Sequence, residues 1–300
     1  MSINRLQLPF DLLFKLVIGL VIIGAIAYFC VCIFLFIQQT RLIFFPSPVI
    51  EKTPELFNLP YEEVWLPVPG RTAKGDRIHG WWIKPKQTDT KSHDKVLLFL
   101  HGNGINIGAN IAYASRFYQL GFSVLLIDYR GYGRSQGAFP NESRVYQDAA
   151  TAWNHLVQQR KISPKHIFIY GHSLGGAIAI DLAIKHPEAA GLIVESSFTS
   201  IRDVVAYRNL FRMFPVNLIL TQRFESIKKI PMVKMPVLFI HGMEDSSVPF
   251  FMSQKLYAIA PEPKQLILVP NAGHNNLADL AGVQYLQWID DFSKQVYVRR

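Results

Sequence analysis

The segment Ile167-Phe-Ile-Tyr-Gly-His-Ser-Leu-Gly-Gly176 is the most informative part of this sequence about its architecture. It opens with β-branched and aromatic residues typical of a buried strand, and it continues into a G-x-S-x-G pattern at residues 171–175. Residues 177–185 then read as a helix. A serine on so sharp a strand-to-helix turn holds its hydroxyl clear of the sheet, so Ser173 is predicted to be a nucleophile.

Candidate partners for this serine follow later in the chain. A serine nucleophile needs a base, and the base needs an acid that orients it. Asp245 and His274 each follow a predicted strand, in the order serine, acid, histidine that this architecture uses. The carboxyl ends of parallel strands meet at one sheet edge, so we predict a catalytic triad of Ser173, His274 and Asp245. Glu195, which also follows a predicted strand, is the alternative acid.

An oxyanion hole requires two backbone N–H groups that point at the developing negative charge. The first is predicted to belong to Leu174, the residue after the nucleophile. The second is predicted to come from Asn103, in the glycine-rich loop that follows the apolar residues 96–100. The predicted site residues are therefore Ser173, Asp245, His274, Asn103 and Leu174.

With these residues in place, the chain resembles the α/β-hydrolase superfamily. More narrowly it is similar to the BEM46-like group, also called ABHD13- or ABHD17-like serine hydrolases. The resemblance rests on six segments in family order: residues 101–104, 128–135, 171–176, 195–200, 241–245 and 272–274. It implies hydrolysis of an acyl compound through a covalent acyl-enzyme, with the substrate left open because members of the group act on different acyl compounds.

Predicted strands and helices alternate from residue 96 onward, at the spacing of βαβ units. This predicts an α/β-hydrolase fold: a mostly parallel twisted sheet with helices on both faces. An antiparallel pair is predicted to open the sheet at residues 63–67 and 77–84. The parallel strands are predicted at residues 96–100, 123–128, 166–170, 191–195, 236–240 and 265–269.

An uncharged apolar run precedes this domain, at residues 16–37. As a helix it would be roughly 33 Å long, enough to span a hydrocarbon core of about 30 Å. A cleaved signal peptide is the alternative, but the run is too long for the apolar part of such a peptide. We therefore expect a single-pass membrane protein with an N-terminal transmembrane anchor. Both cysteines, Cys30 and Cys32, lie in this run, so the hydrolase domain contains no thiol nucleophile.

The domain prediction has three parts. Residues 1–40 form the membrane anchor and residues 41–60 a proline-containing juxtamembrane linker. Residues 61–300 form the hydrolase domain, within which residues 196–235 are a short lid-like insertion rich in aromatic and cationic side chains. Removal of residues 1–40 is expected to leave a soluble, active domain.

The net charge of +9 lies almost wholly outside the anchor and favours contact with anionic lipid headgroups. We therefore expect two partners, an acyl or lipid-like small-molecule substrate and the lipid bilayer. The cations are scattered and no nucleic-acid motif is present, so nucleic acid is not expected. No obligate protein partner is evident. Without an HExxH, paired CxxC or P-loop motif, no cofactor and no metal is expected.

Three other functions stay open at this point. Residues 102–108 resemble a dinucleotide-binding loop, but the glycine spacing is one residue too long for G-x-G-x-x-G. A serine peptidase or amidase would use the same triad, since pocket shape alone decides between amide and ester. A membrane-anchored pseudohydrolase that binds a partner is the non-enzymatic alternative, although no triad residue is missing.

Overall fold

The computed structural model describes residues 10–69, 75–85, 95–209 and 211–298. In these residues eight strands form one sheet, and two more strands form a separate pair. The strands are β1 (Phe45–Pro46), β2 (Tyr61–Pro67), β3 (Arg77–Ile83), β4 (Val96–Leu100), β5 (Gly104–Ile105), β6 (Ser123–Ile127), β7 (Ile167–His172), β8 (Gly191–Glu195), β9 (Val237–Gly242) and β10 (Lys264–Val269). The helices are α1 (Phe10–Ile43), α2 (Ile111–Gln119), α3 (Glu142–Asn154), α4 (Leu174–Lys185), α5 (Ile201–Arg208), α6 (Val216–Ile219), α7 (Ser226–Lys229), α8 (Phe251–Ile259), α9 (Leu277–Ala281) and α10 (Val283–Val298).

The large sheet has the strand order β10-β9-β8-β7-β4-β6-β3-β2. Strand β3 is antiparallel to both β2 and β6, and the other neighbours are parallel. This arrangement confirms the mostly parallel sheet and its antiparallel opening pair. Strands β10, β9, β8 and β7 are consecutive neighbours and run parallel, so their carboxyl ends lie at the same edge of the sheet.

Strand β7 shows how the sheet acquires a hydrophobic core on each face. Its side chains alternate, because successive residues of a strand point to opposite faces. Ile167 and Ile169 pack into the core that contains α3 and α4, whereas Phe168 and Tyr170 pack into the core that contains α2 and α10. Helices therefore cover both faces, and the predicted α/β-hydrolase fold is confirmed.

Helix α1 is the one helix of the described residues that is long and apolar enough to cross a membrane. Its most apolar 18-residue window has a mean hydropathy of 3.0 and is not buried in the protein. The helix continues to Ile43, past the boundary predicted at residue 40, and its residue Gln39 is buried. The chain then forms β1, which pairs with β5 in parallel.

The long connection from β8 to β9 contains the short helices α5, α6 and α7 and a 3₁₀ turn at Ile230–Met232. We refer to residues 196–235 as the insertion; within it, residue 210 lies outside the described part. Contacts between α6 and α1 place this insertion beside the apolar helix. The insertion and α1 therefore lie on the same side of the domain.

Candidate active site

Ser173 occupies a strained turn between β7 and α4. Its backbone has φ 55° and ψ −120°, a positive φ that residues with a side chain rarely adopt. The turn is tight enough that a Cβ on Gly175 would overlap the carbonyl oxygen of Leu100, and one on Gly171 would overlap the carbonyl of Gly175. The glycines of the G-x-S-x-G pattern are thus required by close backbone approach.

The structure brings Ser173, His274 and Asp245 together. His274 Nε2 lies 3.0 Å from Ser173 Oγ, and His274 Nδ1 lies 2.6 Å from Asp245 Oδ2. Since the carboxylate can only accept, Nδ1 donates to it. In the neutral imidazole this leaves Nε2 as the acceptor for the serine hydroxyl, which is the arrangement that a general base needs.

Asp245 is held by backbone donors as well as by histidines. Its Oδ1 accepts hydrogen bonds from Ser247 N and Val248 N, both at 2.8 Å, while His241 Nε2 lies 3.2 Å from Oδ2. Burial opposes ionisation of this carboxyl, but the hydrogen bonds from His241 and His274 outweigh it and hold the pKa of Asp245 below its ordinary value. The acid is therefore a carboxylate at any pH near neutrality.

Glu195, the alternative acid, has different partners. Its Oε2 accepts hydrogen bonds from Tyr170 and Tyr285, at 3.0 and 2.7 Å. Burial raises the pKa of Glu195. Its backbone carbonyl accepts a 2.9 Å hydrogen bond from Ser173 N, so Glu195 supports the serine turn through its main chain.

The two residues predicted for the oxyanion hole both line the cavity that contains Ser173. Leu174 is the first residue of α4, and the first N–H groups of a helix have no intrahelical partner. The side-chain Nδ2 of Asn103 donates to the Ile43 carbonyl at 2.8 Å, and the backbone carbonyl of Asn103 accepts hydrogen bonds from Phe45 N and the Tyr132 hydroxyl. These bonds fix the loop, and the backbone N–H of Asn103 stays the proposed second donor.

Two further histidines, His172 and His241, lie against His274 and Asp245. His241 contacts Ser253 Oγ through Nδ1 at 2.6 Å and the Val248 carbonyl through Nε2 at 2.8 Å. The Nε2 atom of His172 lies 3.1 Å from the backbone carbonyl of His274. Burial lowers the pKa of His172 to about 3, so this imidazole is neutral and donates to that carbonyl. His241 and His172 therefore help to fix the positions of Asp245 and His274.

A cavity of about 840 Å³ adjoins Ser173 and His274. None of its described lining residues is Asp or Glu, and one of them, Arg208, carries a positive charge. Apolar walls come from α1 and from the insertion, through Leu35, Leu42, Ile43, Phe198, Ile201, Val204, Val205, Phe211, Phe214, Val216, Ile219 and Leu220. In the described part of the chain, no three His, Cys, Asp or Glu side chains are grouped so that they could hold a metal ion.

The contribution of α1 to this cavity is the feature that the sequence did not indicate. Gln39 Oε1 accepts hydrogen bonds from the backbone N–H groups of Thr221 and Gln222, at 2.7 and 3.1 Å. Its Nε2 donates to the carbonyls of Ile219 and Phe36, at 3.2 and 2.7 Å. One buried side chain thus joins α1 to the insertion beside the cavity.

Comparison with known proteins decides the family. The bem46 protein of Schizosaccharomyces pombe is 32% identical over 275 residues, covering 86% of this chain and 87% of that protein. The α/β hydrolase domain-containing protein 17B of Xenopus laevis is 33% identical over 233 residues, covering 76% and 75%. This chain belongs to the BEM46-like α/β hydrolases.

Two further comparisons agree with this family. A family model described as serine aminopeptidase S33 matches residues 91–227, which include Ser173 but neither Asp245 nor His274. The solved structure of an esterase from Pyrococcus furiosus superposes with a TM-score of 0.67 at 20% identity, covering 84% of this chain and 98% of the esterase. That similarity shows the fold.

Proposed function

We propose that this chain is a membrane-anchored serine hydrolase that cleaves carboxylic ester or thioester bonds of acyl or lipid-like substrates. The observation that carries the proposal is the alignment of Ser173, His274 and Asp245 at 3.0 and 2.6 Å beside a large apolar cavity. Such a triad supplies an activated nucleophile, and an apolar cavity supplies a site for an acyl chain.

The proposed reaction proceeds through an acyl-enzyme. Ser173 Oγ attacks the carbonyl carbon while His274 Nε2 accepts the hydroxyl proton, and the oxyanion accepts hydrogen bonds from the N–H groups of Leu174 and Asn103. The bond to the leaving oxygen or sulfur then breaks, and His274 returns the proton to that atom. A water molecule, deprotonated by His274, then attacks the acyl carbon, the bond to Ser173 Oγ breaks with release of the carboxylic acid, and His274 returns the proton to Oγ. Asp245 stabilises the imidazolium that forms in each half of the reaction.

The lining of the cavity supports an acyl substrate. Its volume of about 840 Å³ lies in the range of roughly 300–1,000 Å³ found for pockets that enclose small molecules. Burying a methylene in such a site contributes about 0.8 kcal/mol, or roughly fourfold in an equilibrium constant. A chain that lengthens into the cavity should therefore gain in kcat/KM until the cavity is filled.

A serine aminopeptidase is the second candidate, because the family model that matches residues 91–227 has that description. An aminopeptidase must bind a free α-ammonium group, and a buried cation needs a carboxylate partner. The described residues around the cavity offer none and include the cation Arg208 instead. The charge of the site therefore favours neutral or anionic acyl compounds.

A substrate panel tests this proposal. We expect kcat/KM for p-nitrophenyl esters to rise from acetate toward medium or long chains, by up to about fourfold for each methylene, as apolar burial requires. Acyl thioesters run in parallel report on the leaving atom, and aminoacyl nitroanilides report on the aminopeptidase. Efficient nitroanilide cleavage with negligible ester turnover would exclude the acyl-ester proposal.

A pair of variants on α5 serves as the control for this panel. Val205 lines the cavity, whereas its neighbour Ala206 is exposed and does not. Val205→Trp should fill part of the cavity and shift the preferred ester to a shorter chain. Ala206→Trp adds the same indole outside the cavity and should leave the chain-length profile unchanged.

Gln39 provides a test of the contact between the proposed anchor and the insertion. Replacement of Gln39 by alanine removes the partner of two backbone N–H groups and one carbonyl in residues 219–222. Each buried polar group that is left unpaired costs about 1–3 kcal/mol of folding free energy. We expect Gln39→Ala to loosen the insertion and to raise KM for medium-chain esters by roughly tenfold, measured by steady-state kinetics. Gln38 is one residue away and takes no part in these bonds, so Gln38→Ala should leave KM within about twofold of its value in the unaltered protein. Equal effects of the two variants would contradict the role given to Gln39.

A further inference from the structure

One face of α1 packs along the insertion for several turns. Tyr28, Leu35, Gln39 and Leu42 are spaced by seven, four and three residues, which places them on the same side of a helix. The Tyr28 ring stacks on Phe214 with ring centroids 5.5 Å apart. Its hydroxyl donates to the Met213 carbonyl at 2.9 Å. The contact between α1 and the insertion therefore extends well into the apolar part of α1.

The position of Tyr28 gives the depth of this contact. Tyr28 lies nine residues before Ile37, the end of the apolar run, or roughly 14 Å along the helix axis. A hydrocarbon core is about 30 Å thick, so residues 211–219 of the insertion would reach into it beside a membrane-spanning α1. We call residues 211–219 the apolar segment.

Most side chains of the apolar segment suit a hydrocarbon environment; the exceptions are Arg212 and Asn217, both exposed, and a long arginine side chain can extend to the level of the lipid headgroups. Met213 and Leu218 are 74% and 81% exposed, an orientation that is costly in water and favourable in lipid. Backbone groups in hydrocarbon must find partners within the protein. The Met213 carbonyl finds the Tyr28 hydroxyl, and the N–H groups of Phe214 and Leu218 bond to carbonyls within the segment.

The same two elements form walls of the cavity that contains Ser173. Leu35 and Leu42 line it from α1, and Phe214 and Ile219 line it from the apolar segment. The cavity beside Ser173 is thus bounded by the two elements whose contact forms a seam, α1 and the apolar segment.

We propose that this seam is a lateral entrance through which an acyl chain passes from the bilayer to Ser173 without crossing water. The substrate is then an acyl ester or thioester resident in the membrane, with its chain between α1 and the apolar segment. This inference rests on the proposed hydrolase function and adds to it the physical state of the substrate and its route.

The kinetic test compares two substrates with the full-length protein in phosphatidylcholine vesicles: p-nitrophenyl palmitate dissolved in the bilayer and p-nitrophenyl butyrate in solution. Leu35→Trp narrows the seam, and the ratio of palmitate to butyrate kcat/KM should fall at least tenfold. Ile37→Trp places the same side chain two residues further on, at an exposed position on the opposite side of α1, and should leave the ratio unchanged. An unchanged ratio in Leu35→Trp, or an equal fall in both variants, would overturn the entrance.

A second measurement does not depend on catalysis. With Cys30 and Cys32 replaced by alanine, single cysteines at Met213 or Leu218 carry a bimane label in vesicles that contain lipids with nitroxide-labelled acyl chains. We expect strong quenching at both positions and weak quenching at an exposed Glu262→Cys, which lies before β10 at the opposite end of the strands. Equal, weak quenching at all three positions would overturn the entrance. Strong quenching at positions 213 and 218, combined with no ester or thioester turnover, would refute the hydrolase function alone.

Discussion

Replacement of Ser173 by alanine should lower ester hydrolysis by about 10⁴–10⁶-fold and abolish labelling by a fluorophosphonate, while the melting temperature changes little. Only the hydroxyl is removed, and its one described partner is His274 Nε2, at 3.0 Å. Without Oγ no acyl-enzyme forms, so kcat falls to what the oxyanion donors and substrate binding can supply. The loss should therefore appear in kcat and not in KM.

Ser115→Ala is the matched control for this experiment. Ser115 is also a buried serine, but its hydroxyl bonds to the Ala112 carbonyl within α2. Labelling and turnover should stay within about twofold of the unaltered protein. Full labelling of Ser173→Ala would place the nucleophile elsewhere. A folded, unaltered protein that neither labels nor turns over any acyl substrate would favour the pseudohydrolase alternative.

The parts of the fold that the sequence predicts are those in which neighbouring residues carry the signal. Each strand of the parallel sheet is a short run of β-branched and aromatic residues, and burial on both faces makes such runs continuous. The sequence predicts Ser173, Asp245 and His274 as partners because each lies within five residues of the end of such a run. The topology then brings three residues together that are up to 101 positions apart in the chain.

The parts that the sequence does not predict depend on contacts between distant segments with no local pattern. In the sequence, Gln39 is a polar residue at the end of an apolar run. No neighbouring residue indicates its hydrogen bond to Thr221, which lies 182 residues later. The pair β1–β5 has two residues in each strand, too few to show an alternating pattern.

These distant contacts change the interpretation of the N-terminal helix. Residues 1–40 were expected to anchor the domain without affecting its chemistry. In the structure, Leu35 and Gln39 line the cavity, and the Ile43 carbonyl accepts the side-chain hydrogen bond of Asn103, the proposed oxyanion residue. Under the proposed membrane anchoring, α1 forms a wall of the cavity and would couple the position of the bilayer to the geometry around Ser173.

Asp245→Asn is the second large effect, and it separates the two candidate acids. Asp245 Oδ2 accepts the Nδ1–H of His274 at 2.6 Å, which fixes the ring and stabilises the imidazolium. A neutral amide keeps the shape of this group and removes its charge, and kcat should fall by about 10⁴-fold, as it does in the serine proteases. Because the pKa of Asp245 lies below its ordinary value of about 3.9, the carboxylate is fully ionised above that pH, and the loss should therefore be present across the range from about pH 5 to 9.

Glu195→Gln is the control, since it replaces the carboxyl group at the last residue of β8, on this same sheet edge. The Glu195 side chain bonds to Tyr170 and Tyr285, and the change leaves its supporting backbone carbonyl in place. We expect kcat within about tenfold of the unaltered protein. In both variants the kinetics should be measured on protein whose circular dichroism and melting curve show a folded domain. If Glu195→Gln lost about 10⁴ in kcat and Asp245→Asn did not, the acid of the triad would be Glu195, because a residue that orients the base cannot be neutralised without a loss in kcat.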